Sequence, residues 1–405
     1  MRGLQATFLD NYALPQTTRV VGNMPAKPPH GDIPTSELPQ ALWEELRRYY
    51  MDHIARLMVW IDTDKNLYRD YIIPMASESP ILRLAISAAA ALHWNATGVS
   101  QKICLPESIR GEAILGITAS VRGIVEHTAQ LTLMDAQWML ASMLVLSCCE
   151  MIEAGAEAAD WHRRAARRLV GVINTMEWCS DTLISFLVNQ LAIYDILSCT
   201  TSFDLSNVRE AILPVTVEGS PLFSKMLHLI HSITLDHRRF GQNSVSDKVW
   251  LTFRMDIELA RGETLMVAGT LGIQDPSDQR DFVRLVDLYC KATCLYAHRV
   301  WNQHDISPER QILEDMFSIM DAIEEPKRIC HNLVWPLFIM GTECHGDLER
   351  QRYIAKQFEA IQSLTGFNHY QELVEFLLSV WAEESSDWQT KARERESMAL
   401  RILAV

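Results

Sequence analysis

The sequence predicts an all-α protein, with one large multi-helix domain of roughly a dozen helices over residues 39–405. Apolar residues recur at three- and four-residue steps through most of the chain, which is the spacing of one helix face. Two-residue alternation over the length of a strand is almost absent, and only 17 of the 405 residues are glycine. The composition is 48% hydrophobic and 22% charged, which is globular and sufficient for a large core.

Residues 1–38 differ from the rest of the chain. They contain five prolines together with Gly22 and Gly31, and they show little periodicity. Such a segment buries too little apolar surface to offset the entropy lost on ordering. We therefore expect residues 1–38 to form a flexible, disordered N-terminal arm.

Helix starts and ends can be placed from Pro39 onward. Ser79 before Pro80 is typical of an N-cap with proline at the first helical position, and a second helix is expected to begin at Asp135. The clearest helix is expected to be capped by Ser277, with an apolar face formed by Phe282, Leu285, Val286, Tyr289, Thr293, Tyr296 and Val300. Helix ends are predicted at Gly155, Leu213-Pro214, Gly241, Pro276, Pro308 and Pro326.

The charge balance argues against stand-alone nucleic-acid binding. The chain has 51 acidic and 37 basic residues, so its formal net charge is -14. Binding through phosphates needs a basic surface, which this balance does not favour. This charge balance is compatible with a role at DNA that is exercised through a partner protein.

The nine cysteines predict buried thiols rather than disulfides. They are odd in number and lie mostly in apolar helical runs, as expected of a reduced intracellular protein. They are Cys104, Cys148, Cys149, Cys179, Cys199, Cys290, Cys294, Cys330 and Cys344. No signal-peptide pattern is seen and no apolar run is judged long enough to span a membrane, so no membrane association is expected.

A histidine cluster is the first candidate metal site. His228 and His231 fall on nearly one face of a predicted helix, and Asp236 and His237 follow. Metal sites use such pairs, but usually with a third imidazole or carboxylate at a defined spacing. Ordinary core or surface histidines are therefore favoured, although this cluster would be the first place to search if the chain were an enzyme.

Neighbouring cysteines and histidines are the second candidate metal site. They are Cys290, Cys294, Cys330-His331 and Cys344-His345. Adjacent residues on a helix point about 100° apart, so a Cys-His pair does not easily chelate one ion. Their apolar neighbours favour buried thiols instead, and the sequence predicts no metal-ligating residue.

Four arginines, Arg163, Arg164, Arg167 and Arg168, form a basic patch behind an acidic segment. Asp160 lies four residues before Arg164, which is the spacing of a favourable helical ion pair. A solvated face, or the edge of an internal interaction, is therefore favoured over contact with DNA.

The common catalytic motifs are missing from the sequence. It contains no G-x-S-x-G elbow, H-E-x-x-H helix, P-loop or G-x-G-x-x-G turn. No pair of acidic residues is singled out by its surroundings as a general acid and base. The sequence therefore predicts no catalytic residue, no cofactor-binding residue and no cofactor, and it does not predict an enzyme.

Four segments and a late tryptophan together resemble a known family. Residues 68–89 combine a proline with an alanine-rich helix, and residues 144–170 place Trp161-His162 after a leucine-rich helix. Residues 294–300 (CLYAHRV) and 333–341 (LVWPLFIMG) follow, and Trp381 comes last. Their order and spacing resemble the fungal-specific transcription factor domain, the helical region that follows a zinc cluster in many fungal regulators. The resemblance covers about residues 40 to 385.

The resemblance implies a nuclear transcriptional regulator with a protein-binding helical body and room for a small effector in an internal apolar pocket. Family members typically carry a six-cysteine zinc cluster before this domain, whereas the first cysteine here is Cys104. No zinc ligand or DNA contact can therefore be carried over. We expect this chain to act through a DNA-binding transcription factor or the transcription machinery, on a secondary-metabolite gene cluster.

Two alternatives stay open. The helical body could have been recruited as a biosynthetic enzyme or small-molecule-binding protein, because a fold does not determine a function. A zinc cluster could also be encoded upstream of Met1. Normal pathway transcripts with an accumulated intermediate in a deletion strain would favour the first alternative.

Overall fold

The computed structural model describes residues 38–98, 103, 108–125, 130–176, 178–215, 221–241, 245–301, 306–383 and 387–405. These residues form helices and connecting segments and include no strand, which confirms the predicted fold class. Fourteen of the described α-helices have nine or more residues, close to the predicted dozen. The predicted arm lies outside the described residues apart from Leu38.

The α-helices of the first half are α1 (Gln40–Tyr49), α2 (Ile73–Glu78), α3 (Pro80–Thr97), α4 (Ser108–Val125), α5 (Leu133–Ile152), α6 (Ala156–Thr175), α7 (Thr182–Cys199) and α8 (Leu205–Arg209). Those of the second half are α9 (Ser224–Phe240), α10 (Asp247–Ala268), α11 (Pro276–Val300), α12 (Ile306–Asp321), α13 (Pro326–Ile329), α14 (Val334–Thr342), α15 (Leu348–Thr365), α16 (His369–Trp381) and α17 (Trp388–Ser397). Short π-helical segments (Tyr50–Ile54, Tyr68–Ile72) and 3-10 segments (Ala55–Met58, Trp178–Ser180, Cys330–Leu333) connect them.

Two groups of helices share one core. Helices α1, α4, α5 and α15 contact α3, and α6 packs along α5. The alanines between Ala85 and Ala91 are buried, and their small side chains permit this close packing around α3. The second group contains α9, α10, α11 and α12, while α7 contacts α5, α6 and α9 and so joins the groups.

Helix α14 lies in the centre of this core. All nine of its residues are buried, so it is enclosed on every side rather than amphipathic. Trp335 stacks on Tyr289 at 5.6 Å between ring centroids, and its indole nitrogen donates to Thr200 Oγ1 at 3.2 Å. At the other end, Trp381 donates its indole N–H to the Gly341 carbonyl at 2.9 Å. The segment 333–341 therefore builds the core, as its apolar character suggests.

The cap residues correct two details of the prediction. The helix expected to begin at Asp135 begins at Leu133, with Thr132 as N-cap and Asp135 completing a capping box. The cap of α11 is Asp275, whose carboxylate accepts from the Ser277 backbone nitrogen at 2.8 Å. Ser79 caps α3, as predicted.

Helix α7 passes a length-and-composition test for a membrane span, contrary to the expectation that no run would. No other helix in the described residues does. In the structure 72% of α7 is buried, and it packs against α5, α6 and α9. The mainly apolar character of α7 is that of a helix largely covered by protein.

Candidate functional site

The histidine cluster does not converge on one point. His231 Nε2 lies 2.9 Å from the Val208 carbonyl, whereas His237 contacts the guanidinium of Arg238 through Nδ1. Burial lowers the pKa of His228 and His231, and it lowers that of His237 to about 4. These side chains have structural hydrogen-bonding roles. Within the residues that the structure covers, no group of three or more metal-ligating side chains comes together.

The neighbouring cysteines and histidines also have structural roles. His331 Nε2 lies 2.7 Å from the Val59 carbonyl, and His345 Nε2 lies 2.6 Å from the Glu383 carbonyl. Burial raises the pKa of the Cys330 and Cys294 thiols to about 11 and that of Cys344 to about 12. These thiols stay protonated near neutral pH, which makes them poor nucleophiles and poor metal ligands.

The arginine patch is largely internal: of the two predicted alternatives, the internal interaction holds for Arg163 and Arg167, and the solvated face does not. Both are buried between α6 and α7, while Arg164 stays partly exposed and pairs with Asp160 at 2.7 Å, as predicted. The physical reason is Asp195 on α7, which is fully buried. Arg167 donates through Nε to both Asp195 carboxylate oxygens at 2.7 Å, and Arg163 pairs with both Asp195 and Asp160.

These groups form a buried ion network, defined here as Asp160, Arg163, Arg167, Asp195, Glu396 and Arg401. The Asp195 carboxylate also accepts from the Ile212 backbone nitrogen at 2.6 Å. Burial by itself would raise the pKa of Asp160, but the guanidiniums of Arg163, Arg401 and Arg164 outweigh it and hold that pKa well below its usual range. With Arg164 at the edge of the network, four guanidiniums face three carboxylates, so the network has no excess of negative charge.

The network is completed by the C-terminal segment, residues 398–405. Arg401 pairs with Asp160 and lies 3.5 Å from Glu396, which accepts from Ser202 Oγ at 2.7 Å. The Ile402 carbonyl accepts from Thr201 Oγ1 at 2.7 Å, and the Ile402, Leu403 and Ala404 side chains are buried. One set of ion pairs therefore connects α6, α7 and the C-terminal segment.

An open cleft of about 460 Å³ lies over this network. Its aromatic lining consists of Trp161 and Phe203, and its charged lining combines three guanidiniums (Arg164, Arg393, Arg401) with four carboxylates (Glu157, Asp160, Asp204, Glu396). The Arg393 guanidinium lies 5.0 Å from the centre of the Phe203 ring and has no carboxylate partner among the described residues. Arg401 Nη2 likewise lacks a hydrogen-bond partner within the described part of the chain. We take this charged cleft as the candidate functional site.

The small cavity beside α14 does not have room for the effector that the resemblance suggests. It lies beside Trp335, Tyr289 and Trp60 and has a volume of about 40 Å³. A water molecule occupies roughly 30 Å³ of the liquid, so this cavity has room for a water or two and not for an organic effector. Larger spaces are the charged cleft and a mainly apolar cleft of about 210 Å³ that is lined by Trp60, Phe186 and Leu222 among others.

Sequence reasoning missed Asp195, Glu396 and Arg401. Asp195 had a visible signal, because it is the sole charged residue between Thr182 and Cys199 and a lone charge in a buried helix needs a partner. Glu396 and Arg401 gave no such signal. Arg401 pairs with Asp160 across more than 200 residues of chain, and Glu396 accepts from Ser202, which lies 194 residues before it.

Most of the chain matches a known protein family. Residues 45–400 match the family described as fungal specific transcription factor domain. The chain therefore belongs to this family of transcriptional regulators, as the four segments and Trp381 indicate.

A relative is the Acriflavine sensitivity control protein acr-2 of Neurospora crassa. It is 21% identical over 406 residues, which span 88% of this chain and 67% of the relative. No solved structure matches the chain.

Proposed function

We propose that this chain is the non-catalytic, ligand-responsive body of a nuclear transcriptional regulator that acts on a secondary-metabolite gene cluster through a DNA-binding partner. The charged cleft is the observation that supports ligand responsiveness, within a chain whose residues 45–400 match the regulator family. The name of the relative connects it with control of sensitivity to acriflavine, and we take a response to a small molecule as the property shared with it.

Action through a partner is supported by charge. The formal net charge of -14 opposes contact with phosphates. The basic patch that could have offset it is partly used inside the fold, because Arg163 and Arg167 pair with buried carboxylates. DNA association therefore comes from a DNA-binding transcription factor or from the transcription machinery.

The lining of the cleft suggests a small organic anion with a flat apolar part. The Arg393 guanidinium is available for a bidentate bond to a carboxylate, and Arg164, which pairs with Asp160, also lines the cleft. Trp161 provides an aromatic surface against which a flat ring can stack, whereas the Phe203 ring is already contacted by the Arg238 and Arg393 guanidiniums. The network below has no excess of negative charge, although Glu157 and Asp204 add two carboxylates to the lining of the cleft.

Calorimetric titration of the full chain with 2-naphthoate tests this assignment, with uncharged 2-naphthamide as the control ligand. We expect 2-naphthoate to bind at least tenfold more tightly than the amide. Arg393→Ala should weaken 2-naphthoate binding about tenfold, since the loss of a charge-assisted hydrogen bond worth about 1.4 kcal/mol is a factor of ten. Glu394→Ala, an exposed change on the same helix, is the matched control. Equal affinities for the acid and the amide would contradict the proposal.

Chromatin immunoprecipitation of the tagged chain tests action through a partner. The chain should be enriched upstream of its target genes, and purified chain should not bind the same DNA fragments at physiological salt. Tight, specific binding by the purified chain alone would overturn this part of the proposal.

A further inference from the structure

The apolar cleft of about 210 Å³ is a second space for a small molecule, separate from the charged cleft. Helices α7 and α9 both line it, together with the connecting segments around Trp60, Pro214 and Leu271. The two clefts have no lining residue in common. A ligand in the apolar cleft is therefore bound independently of the anion proposed for the charged cleft.

The lining of the apolar cleft carries little charge. Most of its surface comes from apolar side chains such as Phe186, Ile193 and Leu222, and no carboxylate is part of it. Its one charged residue among the described residues is Lys65, which is exposed. An ion that entered the cleft would lose its hydration without gaining a buried counter-charge, which is costly. The lining therefore favours an uncharged ligand.

Two aromatic rings of the cleft are held in place by the protein behind them. Trp60 is buried and stacks on Phe223 at 4.3 Å between ring centroids, and it meets Tyr289 edge-to-face at 5.2 Å. Phe186 meets Tyr68 edge-to-face at 5.4 Å. Rings that are already ordered lower the entropy cost of binding. An apolar cavity of about 150 Å³ holds a benzene ring, so this cleft has room for a small bicyclic compound.

Gln190 is the polar group that the cleft leaves without a partner. It lines the cleft from α7 and is 7% exposed, yet its amide makes no hydrogen bond to any described residue. Neither amide atom is completely enclosed by protein. Asn189, next to it on α7, instead exchanges hydrogen bonds of 2.7 and 3.3 Å with the Val215 backbone. Because buried polar groups are nearly always paired, the Gln190 amide requires a partner from outside the protein.

We propose that the apolar cleft binds a small, uncharged lactam, that is, a ring compound with adjacent N–H and C=O groups, and that Gln190 selects it. A side-chain amide presents one acceptor and one donor side by side. A lactam carries the complementary pair, so two parallel hydrogen bonds form while its ring contacts the apolar walls. Since no described residue fixes the orientation of the Gln190 amide, it can turn to match the ligand. A water molecule needs several polar partners, which this mainly apolar lining provides poorly.

Calorimetric titration of the full chain with 2-quinolone tests the proposal, with coumarin as the control ligand. Coumarin has the same bicyclic shape, but a ring oxygen replaces the N–H. It loses one hydrogen bond and sets its ring oxygen against the Gln190 carbonyl oxygen. We therefore expect 2-quinolone to bind at least tenfold more tightly than coumarin, a difference of about 1.4 kcal/mol.

Four variants locate the binding. Gln190→Leu should reduce the preference for 2-quinolone to less than threefold, whereas Gln371→Leu, at an exposed position on α16, should retain it. Leu222→Trp should weaken the binding of both ligands at least tenfold, because the larger ring fills the cleft. Arg393→Ala should leave 2-quinolone binding within twofold of the wild-type value, which separates this site from the charged cleft.

Circular dichroism shows that each variant is folded before it is titrated, and Leu222→Trp gives a test that does not depend on changing Gln190. No measurable binding of 2-quinolone at about 1 mM would overturn the proposal. Equal affinities for 2-quinolone and coumarin would mean that water alone satisfies Gln190, and would also overturn it. The same conclusion would follow if Gln190→Leu kept the tenfold preference or Leu222→Trp kept full affinity.

Discussion

Asp195 places a fully buried negative charge in an otherwise apolar helix, and the local structure is built around neutralising it. Arg163, Arg167 and the Ile212 backbone nitrogen all donate to its carboxylate. Removing one partner of such a set leaves the other charges buried without compensation, which is far more costly than losing a surface ion pair.

Asp195→Asn should therefore lower the free energy of unfolding by about 3 to 5 kcal/mol, because two buried guanidiniums lose their common carboxylate. Urea unfolding followed by circular dichroism measures this. Glu394→Gln, at an exposed position on α17, is the control and should change the value by less than about 0.5 kcal/mol. An equally small effect of Asp195→Asn would contradict the account of the network.

Gly341 permits the close approach of α14 to α16. A Cβ added there would lie 2.7 Å from Leu377 Cδ1 and 3.3 Å from Ile354 Cγ2, in a region with no free space. Gly341→Ala should lower the free energy of unfolding by about 1 to 3 kcal/mol through overpacking.

Gly171→Ala is the matched control for this prediction. Gly171 is a helical glycine on α6 with no atom within 4 Å of an added Cβ, so alanine should be neutral or stabilise by up to about 1 kcal/mol. If both substitutions had the same effect in thermal unfolding, close packing would not be the function of Gly341.

At the scale of elements, the C-terminal segment connects helices that are far apart in the chain. It has little regular structure, yet its Ile402, Leu403 and Ala404 side chains are buried, and the Val405 carbonyl lies 3.3 Å from His369 Nε2. The charge of Arg401 and the apolar burial of the residues that follow it together fix the ends of α6 and α7.

Leu403→Ala should lower the free energy of unfolding by about 2 to 5 kcal/mol, as expected for a large-to-small change in a core. Leu400→Ala, three residues earlier and exposed, should have an effect below about 0.5 kcal/mol. Chemical unfolding of the two variants side by side measures the difference. Matching values would mean that the segment is not part of the cooperative core.

Some features of the structure can be predicted from the sequence much better than others. The long helices are predictable because burial imposes a three-to-four-residue apolar spacing, as in α11, and because caps such as Ser79 are local signals. The cap of α11 shows the limit, since both Asp275 and Ser277 are suitable cap residues and only the backbone geometry selects Asp275. The cleft could not be predicted, because Trp161, Phe203 and Arg393 come from three segments far apart in the chain.

At the scale of the whole molecule, buried neutral histidines connect distant helices. His93 on α3 bonds through Nδ1 to the Tyr49 hydroxyl and through Nε2 to the Thr365 carbonyl, both at 2.9 Å. His369 lies 3.3 Å from the carbonyls of Met151 and Val405. Burial lowers the pKa of both imidazoles to about 4.

Stability should therefore decline as the pH falls from 6.5 towards 4. In that window the unfolded chain binds protons at these histidines, with a pKa near 6.5, while the folded chain does not. The free energy of unfolding should drop by about 2 kcal/mol per histidine between pH 7.5 and pH 5. Urea titrations at several pH values measure the slope, which should be shallower in His93→Gln. An unchanged slope in that variant would assign the acid sensitivity to other groups.

The most direct test of the regulatory role is transcript abundance across the genome in a strain that lacks this gene, compared with a complemented strain. The account predicts that transcripts of one biosynthetic gene cluster change several-fold and return to normal on complementation. An Arg393→Ala allele should restore normal protein levels without restoring normal transcript control. Unchanged transcripts together with an accumulated, unconverted pathway intermediate would contradict the account and assign the helical body to the pathway itself.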